Sequence, residues 1–142
     1  MIAIVCGVLL HAWFLDSLSF DIVSQREKTW ISFYMAQAAL NLGLVSVREQ
    51  FALYASKAAG AKTPLVLDVS LPLFDAPRSG EKALVFIKKP TDTQMRDALL
   101  VHACLYHHDR CVSAVACVLR KQTMRNQESR FVVSHFTVSP RV

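Results

Sequence analysis

Charge is scarce in this chain. Only 19% of its 142 residues are Asp, Glu, Lys or Arg, against 53% apolar, where an ordinary soluble domain carries about 25% charged residues. Too few charges are present to cover a free surface of this size, so part of the surface is expected to lie against a partner or in lipid. Disorder is excluded by the same numbers, because the apolar content is high and the net charge modest. Glycine is scarce as well, at positions 7, 43, 60 and 80 only, which rules out a glycine-rich phosphate loop. GxSxG, HExxH and paired-carboxylate spacings are missing too. No motif for a cofactor is present, and the reading is of a chain that is not an enzyme. No asparagine sequon argues for secretion.

Basic residues are lacking at the N-terminus. None precedes Arg26, so residues 1–15 (MIAIVCGVLLHAWFL) do not open as a signal peptide does. This stretch holds no charge. As a helix it spans about 22 Å, short of the roughly 30 Å hydrocarbon core unless it extends past Asp16 to Phe20 or Val23. Residues 1–23 therefore read as an apolar segment of two alternative kinds, a membrane or interface helix or a buried first strand from Ile2 to Leu10. The helix is preferred, with Arg26 and Lys28 directing the rest of the chain to a cytoplasmic or organelle-matrix side. Residues 24–142 read as a single domain, since one core is all this length supports.

The cysteines Cys6, Cys104, Cys111 and Cys117 form no CxxC pair and read as buried free thiols in a reducing compartment. Residues 29–47 (TWISFYMAQAALNLGLVSV) are also free of charge and apolar around the helix, with Gly43 as an expected C-cap. Ser46 then caps a second helix, VREQFALYASKAA, closed by Gly60. Strands are predicted at 64–71 and 83–88, separated by a loop with two prolines and a glycine. A helix comes next, capped by Thr91 or Asp92, with Met95, Leu99, His102 or Ala103, and Tyr106 on its inner stripe. Residues 111–119 are apolar on both parities, as in a central strand. Arg120–Arg130 is a polar connection, and 131–138 the last strand.

The expected fold class is α+β, a ferredoxin-like α/β sandwich of αββαββ order with an antiparallel sheet and helices on one face, preceded by the apolar N-terminal segment. With a membrane-spanning first helix, this element order resembles the inner-membrane alignment subunits of type II secretion and type IV pilus machines. The likeness lies in element order alone, and the basic N-terminal flank of those subunits is missing here.

Charge is placed unevenly. Residues 1–56 carry Arg26, Lys28 and Arg48 against Asp16, Asp21, Glu27 and Glu49, a net −1. Residues 110–142 carry Arg110, Arg120, Lys121, Arg125, Arg130 and Arg141 against Glu128, a net +5. A basic hairpin of Arg120, Lys121, Arg125 and Arg130, joined by Lys88, Lys89 and Arg96, is the best binding candidate. It has no interleaved aromatics for base stacking, so docking on a protein neighbour is preferred to nucleic acid. Cys104, His108, Cys111 and His135 are the candidates for a metal, although their spacing matches no standard zinc pattern. Cys111 and His135 are also the conceivable nucleophile and base.

The function expected from these features is a non-catalytic structural or assembly subunit of a larger, membrane-associated complex. Its partners would be other protein subunits, in a hetero- or homo-oligomer, and membrane lipid. The alternative is a basic RNA-contacting subunit of a ribonucleoprotein. A small enzyme with no recognisable motif comes third.

Overall fold

A computed structural model describes residues 2–71, 81–91, 95, 97–125 and 128–139. The chain divides into two compact units, Met1–Ile31 and Ser32–Val142. Helix α1 runs Ile2–Glu49 without interruption. It supplies the described residues of the first unit and the first element of the second. In the first unit Phe14, Leu15, Leu18, Phe20, Ile22 and Val23 are all exposed. At 100° per residue these positions spread over about 240° of the helix, wider than the stripe of an ordinary core helix, and the rest of the circumference holds Ser17, Asp21 and Ser24. The alternative of a first strand at Ile2–Leu10 is not what forms.

In the second unit the order is the last five turns or so of α1, then α2 (Phe51–Gly60), β1 (Leu65–Val69), β2 (Glu81–Lys88), β3 (Ala98–His107), β4 (Arg110–Thr123) and β5 (Ser129–Ser139). The strands form one antiparallel meander in the order β1-β2-β3-β4-β5. The class is thus α+β. The helix expected between Thr91 and Arg110 is instead β3, the middle strand, so the αββαββ order does not appear and the likeness to the alignment subunits loses its basis. The physical reason lies in residues 98–106, which are apolar on both parities. Leu99, Val101, Ala103 and Leu105 are buried under the helices, while Leu100, His102, Cys104 and Tyr106 face the other way. A central strand needs this pattern. The stripe at i, i+4 and i+7 also fits, but pairing on both sides, with Val85↔Ala103 and Ala103↔Val115, decides for the strand.

The core lies between one sheet face and the C-terminal part of α1 with α2. Ala36, Ala39, Leu40, Leu44 and Val47 of α1 and Phe51 of α2 are buried against Val85, Ile87, Val101, Val115, Cys117 and Leu119. Gly43 is not a C-cap. The helix runs through it, and its role is contact: a Cβ there would stand 2.8 Å from Val85 Cγ1 and 3.0 Å from Cγ2. Ser46 is inside the helix too, its hydroxyl donating to the Leu42 carbonyl at 3.5 Å, and the break falls at Gln50 instead. Phe131 of β5 closes the core edge, its ring 5.4 Å from that of Phe51 and 5.5 Å below the Arg48 guanidinium.

The β3–β4 connection is a two-residue hairpin. His107 pairs with Arg110, and His108 and Asp109 between them have φ of 45° and 62°. Two positive φ values are what a right-twisted hairpin requires of such a short loop. Both sheet edges are guarded. β1 is five residues long, comes after Pro64 and carries Asp68. In β5, Ser134 pairs with Val118 and Thr137 with Ala116, so β5 has one residue more than its partner there. Such a bulge bends an edge away from neighbouring chains. The loop expected at 72–81 lies, but for Glu81, outside the described residues, as do Asp92 and Arg96.

Candidate functional site

Paired residues in antiparallel strands point to the same side, so the register fixes what the second face of the sheet carries. Next to β1, Val66 and Asp68 pair with Phe86 and Leu84. Phe86 and Lys88 pair with His102 and Leu100, and Lys82 with Tyr106. Leu100 and His102 pair with Val118 and Ala116, and Ala98 with Arg120. Arg120 pairs in turn with Val132, and Gln122 with Arg130. No described helix is in the core against this face, whose Leu84, Phe86, Leu100, His102, Tyr106 and Val118 remain partly accessible.

The centre of the face is a short row on β2 and β3. The Phe86 and His102 rings lie 5.7 Å apart, tilted at 37°. His102 Nε2 stands 3.1 Å from Cys104 Sγ. Pro64, Phe86, Lys88, Leu100, His102, Cys104 and Tyr106 line a shallow recess of about 280 Å³. Lys82 Nζ lies 5.9 Å above the Tyr106 ring and 3.0 Å from Asp109 Oδ1. Burial pushes the His102 imidazole below its ordinary value, which favours the neutral ring. It raises the Tyr106 phenol, with a further upward push from Cys104 and Cys111. On the helix-bearing face, burial raises the Cys117 thiol to about 11. A thiol with this value is a core group, not a nucleophile.

Of the seven basic candidates, the six described do not form one cluster. Lys88, Arg120 and Arg130 share the second face toward one end of the sheet, as the pairs Lys88↔Leu100, Ala98↔Arg120 and Gln122↔Arg130 show. Lys121 pairs with Phe131 on the helix-bearing side, and its amide donates to the Asp97 carbonyl at 2.8 Å. Arg125 is exposed in the β4–β5 turn, and Lys89 is half-buried beyond the end of β2.

The metal candidates are dispersed, because Cys104 and His108 do not share a helix face: Cys104 is in β3 and His108 in the turn after it. Among the described residues no group of three or more His, Cys, Asp or Glu is placed to hold a metal ion. The side chain of His135 lies outside the described residues. Its backbone falls between Ser134 and Thr137, opposite Cys117, while Cys111 pairs with Tyr106 at the far end of β4. The nucleophile–base pairing of Cys111 with His135 is therefore not formed.

Sequence reasoning did not find the aromatic row. His102 and Tyr106 were visible four residues apart, but Phe86, sixteen residues before His102, is brought beside it only by the β2–β3 register. The signal that would have found them is the two-residue period of Leu84, Phe86, Lys88 and of Leu100, His102, Cys104, Tyr106. Comparison with protein-family models, with curated proteins and with solved structures finds no match to this chain.

Proposed function

We propose that this chain is a non-catalytic structural or assembly subunit of a larger membrane-associated complex, seated by its apolar N-terminal helix. One observation carries the reading. The described part of the first unit is a helix with large apolar side chains exposed over about two thirds of its circumference, Phe14, Leu18, Phe20, Ile22 and Val23 among them. Such a surface is stable only when covered, at roughly 25 cal/mol per Å². Its hydroxyls suit lipid, since Ser17 donates to the Phe14 carbonyl at 3.0 Å and Ser19 to that of Leu15, so neither needs an outside partner. By length and composition Phe14–Glu49 passes for a span, but its charge-poor stretch, residues 29–47, is the part that packs into the core, so this adds no support for the residues before it. A core helix passes the same test, and beyond residue 35 α1 packs into the core. The proposed membrane segment is the N-terminal 1–23, which contains Asp16 and Asp21 toward its end and is followed by Arg26 and Lys28 on the cytoplasmic or matrix side.

Fractionation of the expressed full-length chain tests this. It is expected in the membrane pellet, resistant to high salt and released by detergent as part of a larger complex on native electrophoresis. A variant lacking residues 2–31 is expected in the soluble fraction with cooperative unfolding. A full-length chain that purifies in plain buffer as a monodisperse, cooperatively unfolding monomer overturns the proposal.

A further inference from the structure

We infer that the sheet face opposite the core helices binds a single-stranded nucleic acid, with Phe86, His102 and Tyr106 stacking bases and Lys88, Arg120 and Arg130 contacting phosphates. This goes beyond the subunit reading and does not rest on where the first helix sits.

Three features of the face carry the argument together. It is an antiparallel sheet face with no helix of the core packed on it, the kind of surface on which unstacked bases lie flat. It presents aromatic rings as platforms. Phe86 and His102 are registered neighbours with centroids 5.7 Å apart. Tyr106 lies four residues beyond His102 along β3, about 14 Å at the rise of a strand. Between them is the recess of about 280 Å³ that also touches Lys88. Burial favours a neutral His102, a ring that stacks without placing a second charge beside the cations.

The third feature is charge. Among the described strand residues, Lys82, Lys88, Arg120 and Arg130 lie on this face with one carboxylate, Asp68. Lys82 is already paired with Asp109. The other three lie toward one end, on β2, β4 and β5, so they line a path across the strands. Lys88 and Arg120 are two strands and two residues apart, about 12 Å at ordinary strand spacing and rise. A protein-binding patch has a core depleted of lysine and acid alike, with mixed charges on its rim. A one-signed row of cations beside ring faces is the arrangement of single-strand grooves. The basic segment lacks aromatics in sequence, but the fold supplies them from β2 and β3.

The test is fluorescence anisotropy of the full-length chain in an uncharged detergent, with labelled oligouridine, oligothymidine and a duplex of equal length. Saturable binding of a single strand, weaker for the duplex, is expected, and the two single strands show whether RNA or DNA is preferred. Phe86→Leu keeps an apolar side chain on the face but removes the ring. It should weaken binding by between about fivefold and a hundredfold. Changing Lys88, Arg120 and Arg130 together to Gln should lower the slope of log affinity against log salt by about 2, at roughly 0.7 per lost contact. The control, Lys57→Gln, removes a cation elsewhere and should leave that slope almost unchanged. The inference is overturned by no binding, by equal binding of duplex and single strand, by indifference to Phe86→Leu, or by a control that matches the triple variant. Circular dichroism of each variant confirms that the fold is retained.

Discussion

Substitution of Gly43 by Ala sets two effects against each other. Alanine in a helix interior is better than glycine by about 1 kcal/mol, mostly through backbone entropy. Yet the added Cβ would stand 2.8 Å from Val85 Cγ1, 3.0 Å from Cγ2 and 3.3 Å from Cβ. Val85 is fully buried in the middle of the sheet, so it has no free space to yield into. Overpacking of this kind costs roughly 1–3 kcal/mol, and the clash wins: Gly43→Ala should lose up to about 2 kcal/mol. Val85→Ala removes the two nearest atoms and should itself cost about 2 kcal/mol in lost burial and cavity. In that background only the 3.3 Å contact remains, and Gly43→Ala should become neutral or stabilising by up to about 1 kcal/mol. A double-mutant cycle by urea titration, monitored by circular dichroism, then gives a favourable coupling of at least about 1 kcal/mol. A Gly43→Ala effect of the same size and sign in both backgrounds would refute the claim that glycine is there for close approach.

Three further outcomes concern the turn, the thiols and the imidazole. Replacing His108 with Asn and Asp109 with Gly gives the hairpin residues suited to two positive φ values and should raise stability by about 1 kcal/mol. The exposed Lys82–Asp109 pair that is lost contributes little, so a loss of stability on urea titration would count against the assigned turn. Iodoacetamide at about pH 8 should alkylate the half-buried Cys111 well before Cys117, whose thiol is held up at about 11; the native chain should protect Cys117 until it unfolds, and peptide mass mapping reads the order. His102 binds its proton less readily folded than unfolded. Its contribution to stability is therefore complete above the unfolded value near 6.5 and is lost as pH falls below it. His102→Gln should flatten that part of the stability–pH curve, and an unchanged curve would show that its desolvation is unimportant.

How much of this was legible in sequence depended on which residues carried the signal. The all-round apolar run 29–47 is helix because its Ala, Leu and Met content favours one and because no proline interrupts it. The strands at 81–88, 110–123 and 129–139 cover the runs expected at 83–88, 111–119 and 131–138, while β1, at 65–69, falls short of the expected 64–71 at both ends. Residues 98–107 pass for a helix because Ala, Leu, His and Tyr there satisfy both periods, and only the partners on β2 and β4, distant in sequence, break the tie. Gly43 misleads for a related reason. A glycine inside a helix and one at its end look alike until the facing Val85 is known. The basic residues were visible, but their division between two faces was not, because it depends on strand parity through Arg120 and Lys121.

The order of elements also has a consequence for how the chain is made. Every strand pairs only with its neighbours in sequence, so the sheet can close hairpin by hairpin, with local contacts that favour fast folding. The helix has no such convenience. Its stripe of Ala36, Leu40, Leu44 and Val47 leaves the ribosome before Val85, Val101, Val115 and Leu119, the residues that will cover it. At about 5–20 residues per second, the interval from Val47 to Leu119 lasts several seconds. Throughout that time an uncovered apolar helix is tethered to unfinished sheet, so the nascent chain is the form of this protein most exposed to aggregation and most in need of a chaperone.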